Sequence, residues 1–111
     1  MNGIFLIAHA PLASALRQAV LHVFADAAGA VVALDVQPNV PPEETLQQAR
    51  TLIDQMGADD VLVLADVFGA TPCNVAQRLL EGGGARLIAG VSLPMLLRAM
   101  TYRHEPLDML V

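Results

Sequence analysis

The sequence contains no lysine and no tryptophan, a single cysteine, and no long apolar run. Each absence removes a class of function. Without lysine there is no Schiff-base nucleophile, no P-loop lysine, and no lysine of the kind a response-regulator receiver keeps near its phospho-acceptor. All six basic residues are arginine, set against 11 acidic residues, and the formal net charge is −5. That balance disfavours nucleic-acid binding, which needs a basic footprint. Arginine-only usage beside abundant alanine has a genomic explanation in GC-rich coding, and the exclusions hold whatever its cause. The single cysteine, Cys73, cannot close an internal disulfide, which fits a reducing compartment. No apolar stretch approaches the roughly 18 residues that span a bilayer, although 55% of the residues are hydrophobic. The excess points instead to strands buried on both faces, or to a subunit contact. No two of the three histidines show metal-ligand spacing, and one cysteine makes no zinc site, so no metal is expected.

The opening segment FLIAHAPLASA resembles a leader with an Ala-Ser-Ala cleavage site. It lacks a basic start, its apolar core is short, and His9 and Pro11 interrupt it, so it reads as strand and turn of a folded cytoplasmic protein. From there the chain alternates between two periods. IFLIA (4–8) and VLVLA (61–65) are continuous apolar runs, the mark of central strands covered on both faces; VVALDV (31–36) and RLIAGV (86–91) are two further strands. Helical spacing links Leu12, Leu16, Ala19, Val20, Val23, Phe24 and Ala27, and Gly29 closes that helix. A second helix opens at Pro42 with Glu43 and Glu44 in its first turn. It carries Leu46, Ala49, Leu52, Ile53 and Met56 to a stop at Gly57. Thr71-Pro72 opens a third that runs to Gly82-Gly83-Gly84, and Ser92 caps a fourth through about Tyr102. The order β-α-β-α-β-α-β-α with short connections predicts an α/β fold. Its sheet is mostly parallel with helices on both faces (doubly wound), in one domain over residues 1–111. Residues 106–111 read as the first turn of another helix.

In an open parallel sheet, ligands bind beyond the carboxyl ends of the strands. Two polar side chains fall there: His9 after the first strand and Asp66 after the third. If those strands are neighbours, the two face each other. The carboxylate then orients the ring, fixes its tautomer, leaves the other nitrogen as a nucleophile and stabilises the positive charge that develops in attack. After Asp66 comes VFGATPCN, where Gly69 and Ala70 make a tight turn, Thr71 caps a helix and Pro72 lies in its first turn. Backbone N–H groups at such a start attract phosphate. Together these features describe phosphoryl transfer to histidine, resting on positioning and electrostatics. Taken singly, each has a structural reading: a satisfied histidine at a strand end, a turn-forming aspartate, an ordinary Thr-Pro helix start. Convergence on one sheet edge is what favours phosphoryl chemistry. His22, opposite its helix's apolar stripe, and His104, in the YRHEP turn, read as surface residues. Cys73 reads as a small packing residue rather than a reactive thiol. The triple glycine lacks the flanking strand and helix of a dinucleotide fingerprint and reads as a loop.

These segments resemble the enzyme IIA component of the mannose-type (mannose–fructose–sorbose) bacterial sugar phosphotransferase system. IFLIAHAPLA, VLVLADVFGATPCN and RLIAGVSLPMLLRAM carry the likeness in order and spacing, and it covers essentially all of residues 3–103. The resemblance implies that His9 stands for the family's phosphorylated histidine. It would take the phosphoryl group on Nε2 from the carrier protein HPr and pass it to a histidine on a IIB domain. Asp66 stands for the aspartate that holds the other ring nitrogen. Gly69, Ala70 and Thr71 stand for the phosphoryl-binding loop, where the family usually has serine at the last position. Ala10, Phe68, Ser92 and Pro94 fall on the rim. The resemblance further implies a cytoplasmic phosphotransferase with no metal or organic cofactor, a homodimer, and membrane association only peripherally, through a permease complex.

Ala10 and Ala70 each replace a glycine common in the family, which stiffens the turn without abolishing it where no positive φ is needed. The family runs on by a further helix and often a last strand, exchanged between subunits in some members. Both are expected to be missing here, so a dimer is expected through other apolar surface. Several roles stay open on sequence: feeding a sugar transporter, acting alone as a phosphorylation-state sensor, donating phosphate to a dihydroxyacetone kinase, or docking partners without carrying phosphate.

Overall fold

The two continuous apolar runs form the two central strands of a four-stranded, all-parallel sheet. The structure is a computed structural model that describes residues 2–58, 60–66, 71–80 and 85–107. Its strands are β1 (Gly3–His9), β2 (Val31–Val36), β3 (Val61–Ala65) and β4 (Ala85–Ala89), in the spatial order β2-β1-β3-β4. The helices α1 (Leu12–Val23), α2 (Pro42–Met56), α3 (Thr71–Leu79) and α4 (Leu93–Thr101) alternate with them. β1 is buried from Gly3 to Ala8 and β3 along its whole length, while β2 and β4 at the edges are half-buried. Continuous hydrophobicity is what a strand covered on both faces requires.

Successive side chains divide the core in two. Ile4, Leu6 and Ala8 join Leu62 and Leu64 against Ala13 and Val20 of α1 and Leu96 and Met100 of α4. Phe5 and Ile7 join Val61, Val63 and Ala65 against Leu46 and Ala49 of α2 and Val75 and Ala76 of α3. The result is a three-layer sandwich with two helices on each face, the doubly wound arrangement expected. Among the described residues, no helix is long and apolar enough to cross a membrane.

Helix ends show where local pattern and structure part. α2 opens at Pro42 with both glutamates in its first turn and ends on Gly57, whose φ of 66° suits glycine. α1, expected to reach Ala27, stops at Val23, and Phe24 leaves the helix with φ −115° and ψ 69°. A tight turn follows, closed by the Ala27 N–H donating to Phe24 O at 3.0 Å and the Ala30 N–H to Ala27 O at 2.9 Å. The Arg17 guanidinium pins this turn, donating from Nε to Val31 O at 2.7 Å and from Nη2 to Ala28 O at 2.9 Å. Ala27 is buried as its spacing suggested, but a turn returns it to the core, not a helix. Of the expected α1 stripe, Leu12 and Val23 are 39% and 64% exposed, because the buried line runs through Ala13, Leu16 and Val20. β4 ends at Ala89, short of Val91, since Gly90 turns away with φ 80°. The expected Gly82-Gly83-Gly84 loop, and residues 108–111 of the helical turn expected over 106–111, lie outside the described residues.

On the surface, Arg78 of α3 pairs with Glu43 of α2, and the guanidinium's hydrogen bond and charge hold the Glu43 carboxyl below its usual range. A depressed carboxyl contributes above its unfolded value and loses that contribution as the pH falls through the folded one. Both groups are exposed, so water screens the pair and it adds little. The sheet carries the stability. Leu64→Ala, at a fully buried β3 position, is expected to cost about 2–5 kcal/mol in urea unfolding. Val23→Ala should stay within about 0.5 kcal/mol of the wild type.

Candidate functional site

His9 is the last residue of β1 and Asp66 the first after β3, and the parallel register that sets Ile7 opposite Ala65 brings them together. A single carboxylate oxygen, Asp66 Oδ2, accepts twice from His9: from the backbone N–H at 3.0 Å and from ring Nδ1 at 2.7 Å. A carboxylate only accepts, so Nδ1 carries the proton and the neutral ring has its lone pair on Nε2. The two partners differ sharply in exposure: the His9 side chain is 56% accessible and that of Asp66 only 8%. The carboxylate is therefore a fixed, sheltered base plate, and the ring's free edge faces solvent.

The main chain holds both residues in place. Beyond β4, the Gly90 N–H donates to Asp66 O at 2.8 Å and the Val91 N–H to Ala65 O at 2.9 Å. Gly90 was not singled out from the sequence, yet its φ of 80° is one that L side chains rarely adopt. On the other side, the Ala10 N–H donates to Val36 O at 3.1 Å, and the Pro11 carbonyl accepts the first α1 hydrogen bond from the Ala15 N–H. The Ala10–Pro11 peptide is cis. Among the described non-glycine residues none has a positive φ, so alanine fits at position 10 without strain. Further in, the Asp35 carboxylate accepts from the Ser14 N–H at 3.0 Å and from the Ser14 hydroxyl. Sequence reasoning passed over this pair as well.

An open pocket of about 380 Å³ adjoins the ring, lined by His9, Ala10, Val36, Gln37, Pro38, Val40 and Pro42. Of the expected rim, Ala10 thus lies at the site. Ser92 and Pro94 open α4, where the Ser92 hydroxyl accepts from the Met95 N–H at 3.3 Å as a helix cap. Phe68, Gly69 and Ala70, and the side chains of Thr71 and Cys73, lie outside the described residues; Thr71 does begin α3, as expected. His22 and His104 are exposed and away from this edge, at the last turn of α1 and beyond α4. Among the described residues there is no group of three or more histidine, cysteine, aspartate or glutamate side chains poised to hold a metal.

Residues 3–109 match the family model EIIA-man, described as PTS system fructose IIA component. Solved structures with the same fold include the mannose/sorbose-specific IIA subunit from Enterococcus faecalis. It is 23% identical with a TM-score of 0.86, and the match covers 98% of this chain and 83% of that one. The phosphotransferase system component EIIA from Streptococcus agalactiae is 22% identical with a TM-score of 0.84, covering 99% and 86%. A PTS IIA protein associated with the fucose utilization operon of Streptococcus pneumoniae is 22% identical with a TM-score of 0.85, covering 98% and 85%.

The tautomer is directly measurable. In ¹⁵N spectra of histidine-labelled protein, the neutral His9 ring is expected to be protonated at Nδ1 and bare at Nε2. Asp66→Ala should return it to the mixture of a free side chain, dominated by the Nε2–H form. A wild-type ring protonated at Nε2 would overturn this geometry.

Proposed function

We propose that this chain, which belongs to the EIIA-man family of PTS system fructose IIA components, carries a phosphoryl group on His9 Nε2. The group is accepted from phospho-HPr and handed to a histidine of a IIB domain, in sugar uptake or its regulation. Membership makes the protein a phosphotransferase-system IIA component. The observation that carries the finer reading is the 2.7 Å bond between Nδ1 and Asp66 Oδ2, which leaves Nε2 as the exposed nucleophile.

The Nε2 lone pair attacks phosphorus as the donor's P–N bond breaks, and the donor nitrogen leaves with the bonding pair. No proton transfer is required. The His9 ring gains positive charge in the process, and the Asp66 carboxylate against Nδ1 stabilises it. Onward transfer is the same displacement with the acceptor's imidazole attacking. Such a reaction has a loose transition state, so the protein contributes position and electrostatics. Neighbouring helix starts supply the latter. α1 begins three residues after His9 and α3 five residues after Asp66, both at the carboxyl edge where N-terminal N–H groups favour anions. Gly69, Ala70 and Thr71 lead into α3 and are assigned the phosphoryl oxygens. The reaction so written uses neither metal nor organic cofactor. The same reading places the protein in the cytoplasm, as a homodimer that meets a membrane only through a permease complex.

Incubation with phosphoenolpyruvate, enzyme I and HPr should add one phosphoryl mass that is acid-labile and alkali-stable. His9→Ala should abolish the label, and Asp66→Ala should slow its appearance by about 10²-fold without moving it. Label retained in His9→Ala, or none on the wild type, would overturn the reading.

A further inference from the structure

α1 begins beside the nucleophile without a cap of its own. Its N-cap is Pro11, which makes no side-chain hydrogen bond, so the first-turn N–H groups need an acceptor from elsewhere. β2 provides it. Asp35 lies opposite Ala8 in the parallel register, and Val36 opposite His9. The Val36 carbonyl accepts the Ala10 N–H at 3.1 Å, while the Asp35 carboxylate accepts the Ser14 N–H at 3.0 Å and the Ser14 hydroxyl. Two consecutive residues of one strand thus hold the link that joins His9 to α1 and the first turn that follows it.

We infer that Asp35 is a positioning residue for phosphoryl transfer at His9, acting through the first turn of α1 without touching the ring; the inference rests on the carrier reading given above. Asp66 fixes the imidazole at Nδ1 and at its own main-chain N–H. It does not fix where α1 begins relative to Nε2. That distance decides how the first N–H groups of α1 meet the oxygens of an incoming phosphoryl group. The Asp35 clamp sets it, and it does so at Ser14, the third residue of the helix, without occupying the N–H groups of Leu12 and Ala13. Displacements of about 1 Å in such an arrangement cost roughly 10²-fold in rate. A cap that only stabilised the helix would change stability and leave the rate alone.

The test compares Asp35→Ala, Asp35→Asn and Ser14→Ala with the wild type, each well below its own melting temperature. Two donors are used: phosphoramidate, whose P–N bond breaks to release ammonia and which needs no protein partner, and phospho-HPr. Asp35→Ala is expected to lower the saturated rate of His9 phosphorylation by about 10- to 100-fold with either donor, with the half-saturating donor concentration unchanged. Asp35→Asn keeps an oxygen for the Ser14 N–H and should recover most of the rate. Ser14→Ala keeps the N–H and should lie between the two. Folded Asp35→Ala at the wild-type rate, or a loss confined to half-saturation, would overturn the proposal. Should Asp35→Ala fail to fold, an Asp35→Asn protein slowed to the level of His9→Ala, or a Ser14→Ala protein at full rate, would do the same. A wild type that takes phosphate from phosphoramidate and not from phospho-HPr would overturn the carrier reading alone, with Asp35 still decided by the small donor. Refusal of both donors would overturn both.

Discussion

Everything at the carboxyl edge depends on β1 lying beside β3. That pairing joins residues 57 positions apart in the chain and sets a carboxylate against an imidazole at hydrogen-bond distance. It is also where the strand order reverses: the chain passes from β1 to β2 on one side of the sheet and from β3 to β4 on the other. A carboxylate 8% exposed would be costly there without donors. Two N–H groups of one residue converge on one of its oxygens, and charge-assisted bonds of this kind contribute about 1.5–3 kcal/mol each. The interaction that orients the ring is thus also the one that makes the buried carboxylate tolerable, and neither role can be removed without the other.

A parallel sheet with helical crossovers collects helix starts at the same edge, and the starts of α1, α2 and α4 are built differently. α4 uses its own Ser92, α2 begins on Pro41-Pro42 with acids in its first turn, and α1 borrows Asp35 from β2. The differences follow from what each junction must do. Only Ala10 and Pro11 separate His9 from α1, so the cap position falls to a proline and the cap is supplied from the neighbouring strand. Capping across elements ties the helix to the sheet, where a local cap ties it only to its own loop.

Much of the fold was legible because its strands are simple. A run such as IFLIA or VLVLA can be buried on both faces and in few other ways, and His9 and Asp66 were visible as the first polar residues past those runs. Adjacency of the two strands was not legible, since nothing in either run names its neighbour; the structure supplies it. The end of α1 misled because alanine at position 27 keeps helical phase while sitting in a turn, and the Arg17 bonds that hold the turn join residues 14 and 11 positions apart. Asp35 was missed for a related reason. An aspartate inside VVALDV reads as the solvent side of an edge strand, and its partner Ser14 lies 21 residues earlier. Gly90 sat inside an apparent strand, where its φ left no trace in composition.

The missing lysine takes on meaning at this edge. None of the six arginines falls in a junction that leads from a strand end to a helix start, in AP, QPNVP, DVFGA or GVS. Those described in detail are used elsewhere: Arg17 on the turn after α1, Arg78 on Glu43, Arg98 over the Tyr102 ring and Arg103 on the Met100 carbonyl. The helix N-termini at this edge each supply a positive potential equivalent to roughly half an elementary charge. On the carrier reading proposed above, dipoles of this strength suit a group that has to be given away: a bidentate arginine would bind the phosphoryl group as tightly before transfer as during it, which lowers the ground state along with the barrier.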